Sequence, residues 1–240
     1  MRYALFILLF VTTPVLAAEP GDWIELLKPG DATIWKTVDK NWIITNEVAL
    51  ASDKPKILVA KPVEGGTIWV NGLTGRVGNL YTKQAYGDCE VHVEFLLAKG
   101  SNSGIKFHGT YEIQFMDSFG NPKLSGNSNG GIYPRAKLPP ENGYLDDGVP
   151  PKVNASKKPG EWQTLDVIWN SPRFNDKKEK VTNAKVVKAV LNGEVIHENQ
   201  EVKNATGGNW NKPEVATGPF MLQCDHGPTA FRNVKIRALR

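Results

Sequence analysis

Cys89-Glu90-Val91-His92-Val93-Glu94-Phe95 alternates without a break. Cys89, Val91, Val93 and Phe95 share one face, and Glu90, His92 and Glu94 share the other. That period of two marks a strand with one buried face. The rhythm recurs along the chain. Residues 103–116 read as two strands around Gly109; in the second, Tyr111, Ile113 and Phe115 point one way and Glu112, Gln114 and Met116 the other. Residues 164–169 form another strand. Residues 186–191 and 194–197 flank Asn192-Gly193, a hairpin with a type I′ turn signal. Residues 220–224 and 231–238 close the chain as two more. Earlier strands are expected at 42–46, 56–60 and 79–81, and residues 23–27 are expected to make one short helical turn. No amphipathic helix and no internal repeat is visible. Many short strands punctuated by Gly, Asn and Pro predict an all-β sandwich or jelly roll.

Composition agrees. The chain has 240 residues, 40% hydrophobic and 22% charged, too apolar for disorder and long enough for one large core. Lys and Arg number 29 against 25 acids, a formal charge of +4, and the basic residues are scattered. That argues against a nucleic-acid partner. Arg2, the apolar run 4–11 and the small residues of Val15-Leu16-Ala17-Ala18 read as a secretory signal peptide over residues 1–18, followed by a single domain over 19–240. No later stretch approaches the roughly 20 apolar residues of a membrane span. The expected destination is the periplasm or exterior. Export permits a disulfide, so Cys89 and Cys224 are either two buried thiols or a bridge between neighbouring strands.

The strand rhythm fails over residues 119–160, which are rich in Gly, Asn and Pro. A loop this long inside a compact domain is typically a lid or a binding loop. Ile132, Tyr133, Leu138, Tyr144 and Leu145 give it something to pack with, so an ordered cover over a concave sheet face is expected.

Glu94, Lys106, His108, Glu112, Gln114, Gln223 and Asp225 all fall on non-core phases of their strands. Singly, each reads as an ordinary solvent-facing residue. Together, under a long loop, they read as a polar cleft suited to a sugar, with planar polar groups for hydroxyls. Asp117 ends the strand that carries Glu112. His226, followed by Gly and Pro, stands at a strand-to-turn mouth, where functional residues concentrate. Arg232 either binds a ligand or clamps an acid across the sheet.

The segments Asn102-Ser103-Gly104-Ile105, Gly109-Thr110-Tyr111-Glu112-Ile113-Gln114, Asp117-Ser118, Gly131-Ile132-Tyr133, Pro159-Gly160-Glu161-Trp162, Leu191-Asn192-Gly193, Leu222-Gln223-Cys224-Asp225-His226-Gly227 and Phe231-Arg232-Asn233-Val234 occur in that order. This run resembles the 3-keto-disaccharide hydrolase domain family across nearly all of the chain after residue 18. The resemblance implies a concanavalin-like jelly roll of two antiparallel sheets. It also implies cleavage of glycosides already oxidised at C3: the ketone acidifies the C2 proton, the C1 aglycone leaves by elimination, and water adds back. The family's Trp-Asn stands here as Trp162-Gln163, and its Leu-Gln-x-His-Gly carries one extra residue.

Mapped onto this chain, Glu112 and His226 become candidates for base and acid, with Asp117 in support. Glu94, Lys106, His108, Gln114, Tyr133, Gln223 and Arg232 become candidates for substrate binding. No nicotinamide site is needed here, because the resemblance implies that a separate upstream sugar 3-dehydrogenase makes the ketone, and no Gly-x-Gly-x-x-Gly fingerprint is present. The acids at 94, 112, 117 and 225 suit a hard cation such as Ca²⁺, without a loop spacing that specifies one. Two other readings stand beside this one. A non-catalytic carbohydrate-binding module uses the same sandwich. A retaining glycoside hydrolase needs paired carboxylates, and Gln114 occupies the position where its Glu-x-Asp-x-x-Glu spacing would put an acid.

Overall fold

The computed structural model describes residues 20–239; the signal-peptide reading of residues 1–18 lies outside them. Strands and loops alone make up this region. In chain order the strands are β1 (Ile24–Glu25), β2 (Ile43–Thr45), β3 (Ala49–Leu50), β4 (Leu58–Val59), β5 (Ile68–Val70), β6 (Leu80–Tyr86), β7 (Cys89–Leu97) and β8 (Asn102–Phe107). They continue as β9 (Tyr111–Met116), β10 (Trp162–Asn170), β11 (Arg173–Phe174), β12 (Lys180–Thr182), β13 (Ala184–Leu191), β14 (Glu194–Val202), β15 (Gly218–Gln223) and β16 (Thr229–Ala238). The larger sheet runs β14-β13-β10-β7-β16-β5-β2, with β1 also on β16; the smaller runs β6-β15-β8-β9. Two short hairpins, β3–β4 and β11–β12, stand apart. The fold is an all-β sandwich of jelly-roll type. Residues 23–27, expected as a helical turn, instead supply β1: Ile24 pairs with Ile236, and the edge pairing satisfies backbone that one isolated turn would leave open.

The alternation of β7 is what seats the core. Cys89, Val91, Val93, Phe95 and Leu97 are buried between the sheets. Phe95 stacks on Phe115 of β9 with ring centroids 3.8 Å apart, and Phe107 of β8 stacks on Trp169 of β10 at 4.4 Å. Each such side chain contributes roughly 1.5–3 kcal/mol by leaving water, so these cross-sheet pairs fix which face of each strand points inward. Asn192 and Gly193 take φ of 52° and 90°, the left-handed pair that a type I′ hairpin requires.

The long loop is ordered by the edge of the smaller sheet. Gln114 N donates to Gly131 O at 2.8 Å, Gly130 N to Gln114 O at 2.7 Å, and Tyr133 N to Glu112 O at 3.1 Å. Residues 130–133 thereby line the open edge of β9 and raise Tyr133 beside Glu112. Gln163 anchors the same loop. Its Oε1 accepts from Asn129 Nδ2 at 2.9 Å, Lys157 N at 3.1 Å and Asn192 Nδ2 at 3.1 Å. The Gln at this position is thus a loop tether.

Cys89 and Cys224 are separate buried thiols. Asn71 explains why. Its side chain bonds Cys224 O at 3.0 Å and Thr229 N at 2.7 Å, and Thr229 pairs with Leu97. Cys224 therefore lies at the Leu97 end of nine-residue β7. Cys89 is at the other end, roughly 26 Å away at about 3.3 Å per step. A bridge needs Cα atoms within about 7 Å, so the bridging alternative fails.

Candidate functional site

On the smaller sheet, register sets which polar residues meet. Met221, Lys106 and Glu112 are direct neighbours across β15, β8 and β9; Gln223, Gly104 and Gln114 form the next row. Between these rows, Leu222, Ile105 and Ile113 face the core. Strand alternation therefore sends Lys106, Glu112, Gln114 and Gln223 to the outer face of this sheet. Tyr133 joins Glu112 from the loop edge.

Lys106 Nζ lies 2.9 Å from Glu112 Oε2, and the two side chains are only 10% and 2% exposed. With its amide oriented to donate, Gln114 reaches Ser103 O at 3.1 Å and Glu112 Oε1 at 3.2 Å. Burial pushes the Glu112 carboxyl above the ordinary carboxylate range, against the pull of the Lys106 and His226 charges. Gly104 makes room for this carboxylate. A Cβ there would meet Ile113 O at 2.9 Å and Glu112 Oε1 at 3.1 Å. Beside it, Gln223 Oε1 is buried with no hydrogen-bond partner, an acceptor that a ligand hydroxyl would satisfy.

The rim is Asp225-His226. His226 Nδ1 bonds Asp225 Oδ1 at 2.6 Å, and both side chains reach solvent. That bond raises the His226 pKa, opposed by partial burial and helped by the charges of Asp225 and Glu112; Arg76 lowers it. With Nδ1 engaged by the carboxylate, Nε2 is the nitrogen left for exchange with a ligand. On the other flank, Tyr133 and Tyr144 share a hydroxyl–hydroxyl hydrogen bond of 3.0 Å, and Tyr144 donates to Asn127 Oδ1 at 3.2 Å. Burial, then the Tyr144 contact, pushes the Tyr133 phenol upward.

Six expected site residues thus meet: Lys106, Glu112, Gln114, Tyr133, Gln223 and His226. Four do not. Glu94 and Arg232 lie on the outer face of the larger sheet, on the far side of the core, where Arg232 Nε donates to Glu94 Oε2 at 2.6 Å. His108 takes φ of 55° in the β8–β9 turn, which swings its ring off the strand's outer phase. Its Nδ1 pairs with Val215 O and its Nε2 with Ser171 Oγ, both at 3.0 Å, and burial lowers its pKa to about 4. Asp117 accepts from Gly100 N at 2.9 Å and fixes a turn. It stands five residues beyond Glu112, roughly 17 Å along the strand at about 3.4 Å each. Among the described residues no cluster of three or more His, Cys, Asp or Glu side chains is arranged to hold a metal; the acids named for a hard cation are divided between the two outer faces. Gly104 and Tyr144 belong to the site beyond the residues expected there, and the sequence signal for Gly104 was its place in Asn102-Ser103-Gly104; Asp225, expected in the cleft, stands there as the partner of His226.

An all-β sandwich with a polar constellation on one outer sheet face is the architecture of many sugar-handling domains. The chain belongs to the 3-keto-alpha-glucoside-1,2-lyase-like domain family, which it matches over residues 22–237. It is similar to three crystal structures from Parabacteroides distasonis, each assigned provisionally as a glycosyl hydrolase. The first shares 24% identity over 96% of this chain and 94% of the other, with a TM-score of 0.67. The second shares 19% over 91% and 100%, with a TM-score of 0.57. The third shares 18% over 92% and 94%, at 0.51. These likenesses carry the fold. No curated protein matches the chain.

Proposed function

We propose that this protein cleaves 3-keto-glycosides by C2 deprotonation, elimination of the C1 aglycone and hydration, at the outer face of the smaller sheet. The observation that carries the reading is the buried Lys106–Glu112 pair, close enough to the Asp225-held His226 for Glu112 and His226 to shift one another. Sealing two charges from water is costly, and such perturbed groups concentrate at reactive sites.

The chemistry divides as follows. His226 Nε2 takes the C2 proton, and the electron pair moves to the C3 oxygen, where the Lys106 ammonium offsets the enolate charge. Collapse of the enolate forms C1=C2 and breaks the C1–O bond. The departing oxygen takes the proton from His226. Water then adds to C1, with His226 again accepting its proton and returning it to C2. Glu112 keeps Lys106 charged and aimed, with fully buried Gln114 donating to its carboxylate; Gln223 holds a hydroxyl; Asp225 fixes the His226 tautomer. Of the base-and-acid pair expected from the sequence, His226 thus moves protons while Glu112 positions Lys106. The substrate is supplied by an enzyme class that oxidises C3 of a glycoside, and export places the reaction outside the cytoplasm.

The test is aglycone release from a chromogenic 3-keto-glucoside beside the unoxidised glucoside, each with and without EDTA. Release from the keto compound alone supports the reading. Release from neither, with retained sugar binding, favours the carbohydrate-binding alternative.

A further inference from the structure

The larger sheet turns its outer face away from this site. Hairpin β3–β4 stands over its β2–β5–β16 end, and between hairpin and sheet lies an open chamber of about 1000 Å³. Thr45 and Ile68 are paired in its floor, and Arg232, one residue past the Phe231–Trp69 pair, lies next to them. The lining is mostly apolar. Val59, Val63 and Leu73 leave 46%, 41% and 55% of their surface exposed in this one patch; large apolar residues clustered in the open mark a binding surface.

Arg232 supplies the polar end. Its guanidinium lies 4.1 Å from the Trp162 ring, and its Nε is held by Glu94. Asn233, at a β-bulge with φ of 47°, turns to the same face and donates to Glu94 Oε1 at 2.8 Å. The two terminal amino groups of Arg232 make no hydrogen bond among the described residues. Arg237 on the same strand is different: both Nε and Nη2 engage Glu90. Arg232 is therefore pinned in place with its fork unspent.

We propose that this chamber is a second binding site, remote from Glu112, for a small amphiphilic acid with a carboxylate head and an apolar body. The head pairs with the Arg232 fork, which matches a carboxylate bidentately, and Lys61 adds a second cation to the lining against one acid, Glu47. Glu94 is already committed to Arg232 Nε and Asn233. The body displaces water from Val59, Val63 and Ile68. A sugar is disfavoured, because its hydroxyls would lose water against side chains that cannot bond them.

The test is calorimetric titration of the full chain with octanoate and with octanol, below their micellar range. Octanoate is expected to bind at least about tenfold more tightly. Arg232→Met removes that preference, Val59→Asp weakens both ligands, and His226→Ala changes neither. No octanoate binding at millimolar concentration, or equal binding of acid and alcohol by the unsubstituted chain, overturns the proposal. So does a concentration-dependent dimer that Val59→Asp abolishes, since the chamber would then be an interface between copies.

Discussion

Lys106 Nζ sits 2.9 Å from Glu112 Oε2 across the β8–β9 ladder, in a setting nearly sealed from water. Removing one partner strands the other charge. Glu112→Gln is therefore expected to cost about 3–5 kcal/mol of stability, whereas the double change Lys106→Met with Glu112→Leu recovers most of it. Neither variant should release aglycone. Denaturant titration separates the stability change from the loss of turnover. A double variant that still turns over would remove the pair from the mechanism.

His226 is bonded to Asp225, and this bond raises its pKa above the ordinary value of about 6.5. Proton abstraction needs the neutral ring, so kcat/KM should rise with pH through that raised value and fall as pH drops below it. Asp225→Asn removes the cause and should move the acidic limb to lower pH while slowing the reaction. His226→Ala should cost about 10²–10⁴-fold. A limb that stays in place in Asp225→Asn would assign it to another group.

Gly104 leaves a notch that the Glu112 carboxylate uses. Gly104→Ala puts a methyl 2.9 Å from Ile113 O and 3.1 Å from Glu112 Oε1, so backbone must shift. The expected loss is about 1–3 kcal/mol of stability, and turnover should fall further than stability accounts for. Unchanged kinetics would show that the notch has no part in seating substrate.

His108 contributes to acid lability. Burial lowers its folded-state pKa to about 4, and its unfolded value is near 6.5. Below pH 6.5 the unfolded chain binds a proton that the folded ring refuses. Stability should therefore fall as pH drops from about 6.5 to 4, by about 2–4 kcal/mol from this residue. His197, buried against Gly130 O, acts in the same direction. Melting temperatures across that range should flatten in His108→Gln, which has lower stability at neutral pH.

Cys89 and Cys224 lie toward opposite ends of the sandwich, so reductant should leave the melting temperature unchanged. Denatured protein should titrate as two thiols. A drop in melting temperature on reduction would contradict the separation argued from Asn71 and β7.

The strand phases were legible because one buried face imposes a period of two: Phe95 and Phe115 announce the core from sequence alone. Phase tells which side of a strand a residue occupies, but not which sheet the strand joins. Glu94 has the same outward phase as Glu112, yet β7 and β9 lie in different layers, so their outer faces look away from each other. His108 was misplaced for a local reason, since a left-handed turn residue leaves the alternation. Short β1, β3, β5, β11 and β12 carried too little pattern to be read; β1 and β5 exist by pairing with long β16, and β3–β4 and β11–β12 as two separate short hairpins. The notch at Gly104 is visible only when Glu112 is seen lying over it.

Removal of the C2 proton of a 3-keto-glycoside at the proposed Glu112–His226 face can be followed by turnover in D₂O with mass analysis of the released 3-keto sugar. Deuterium is expected at C2 in the product of the unsubstituted chain, with no such product from His226→Ala and no cleavage of the unoxidised glucoside. Cleavage that leaves C2 hydrogen untouched, or equal release from both glucosides, would contradict it.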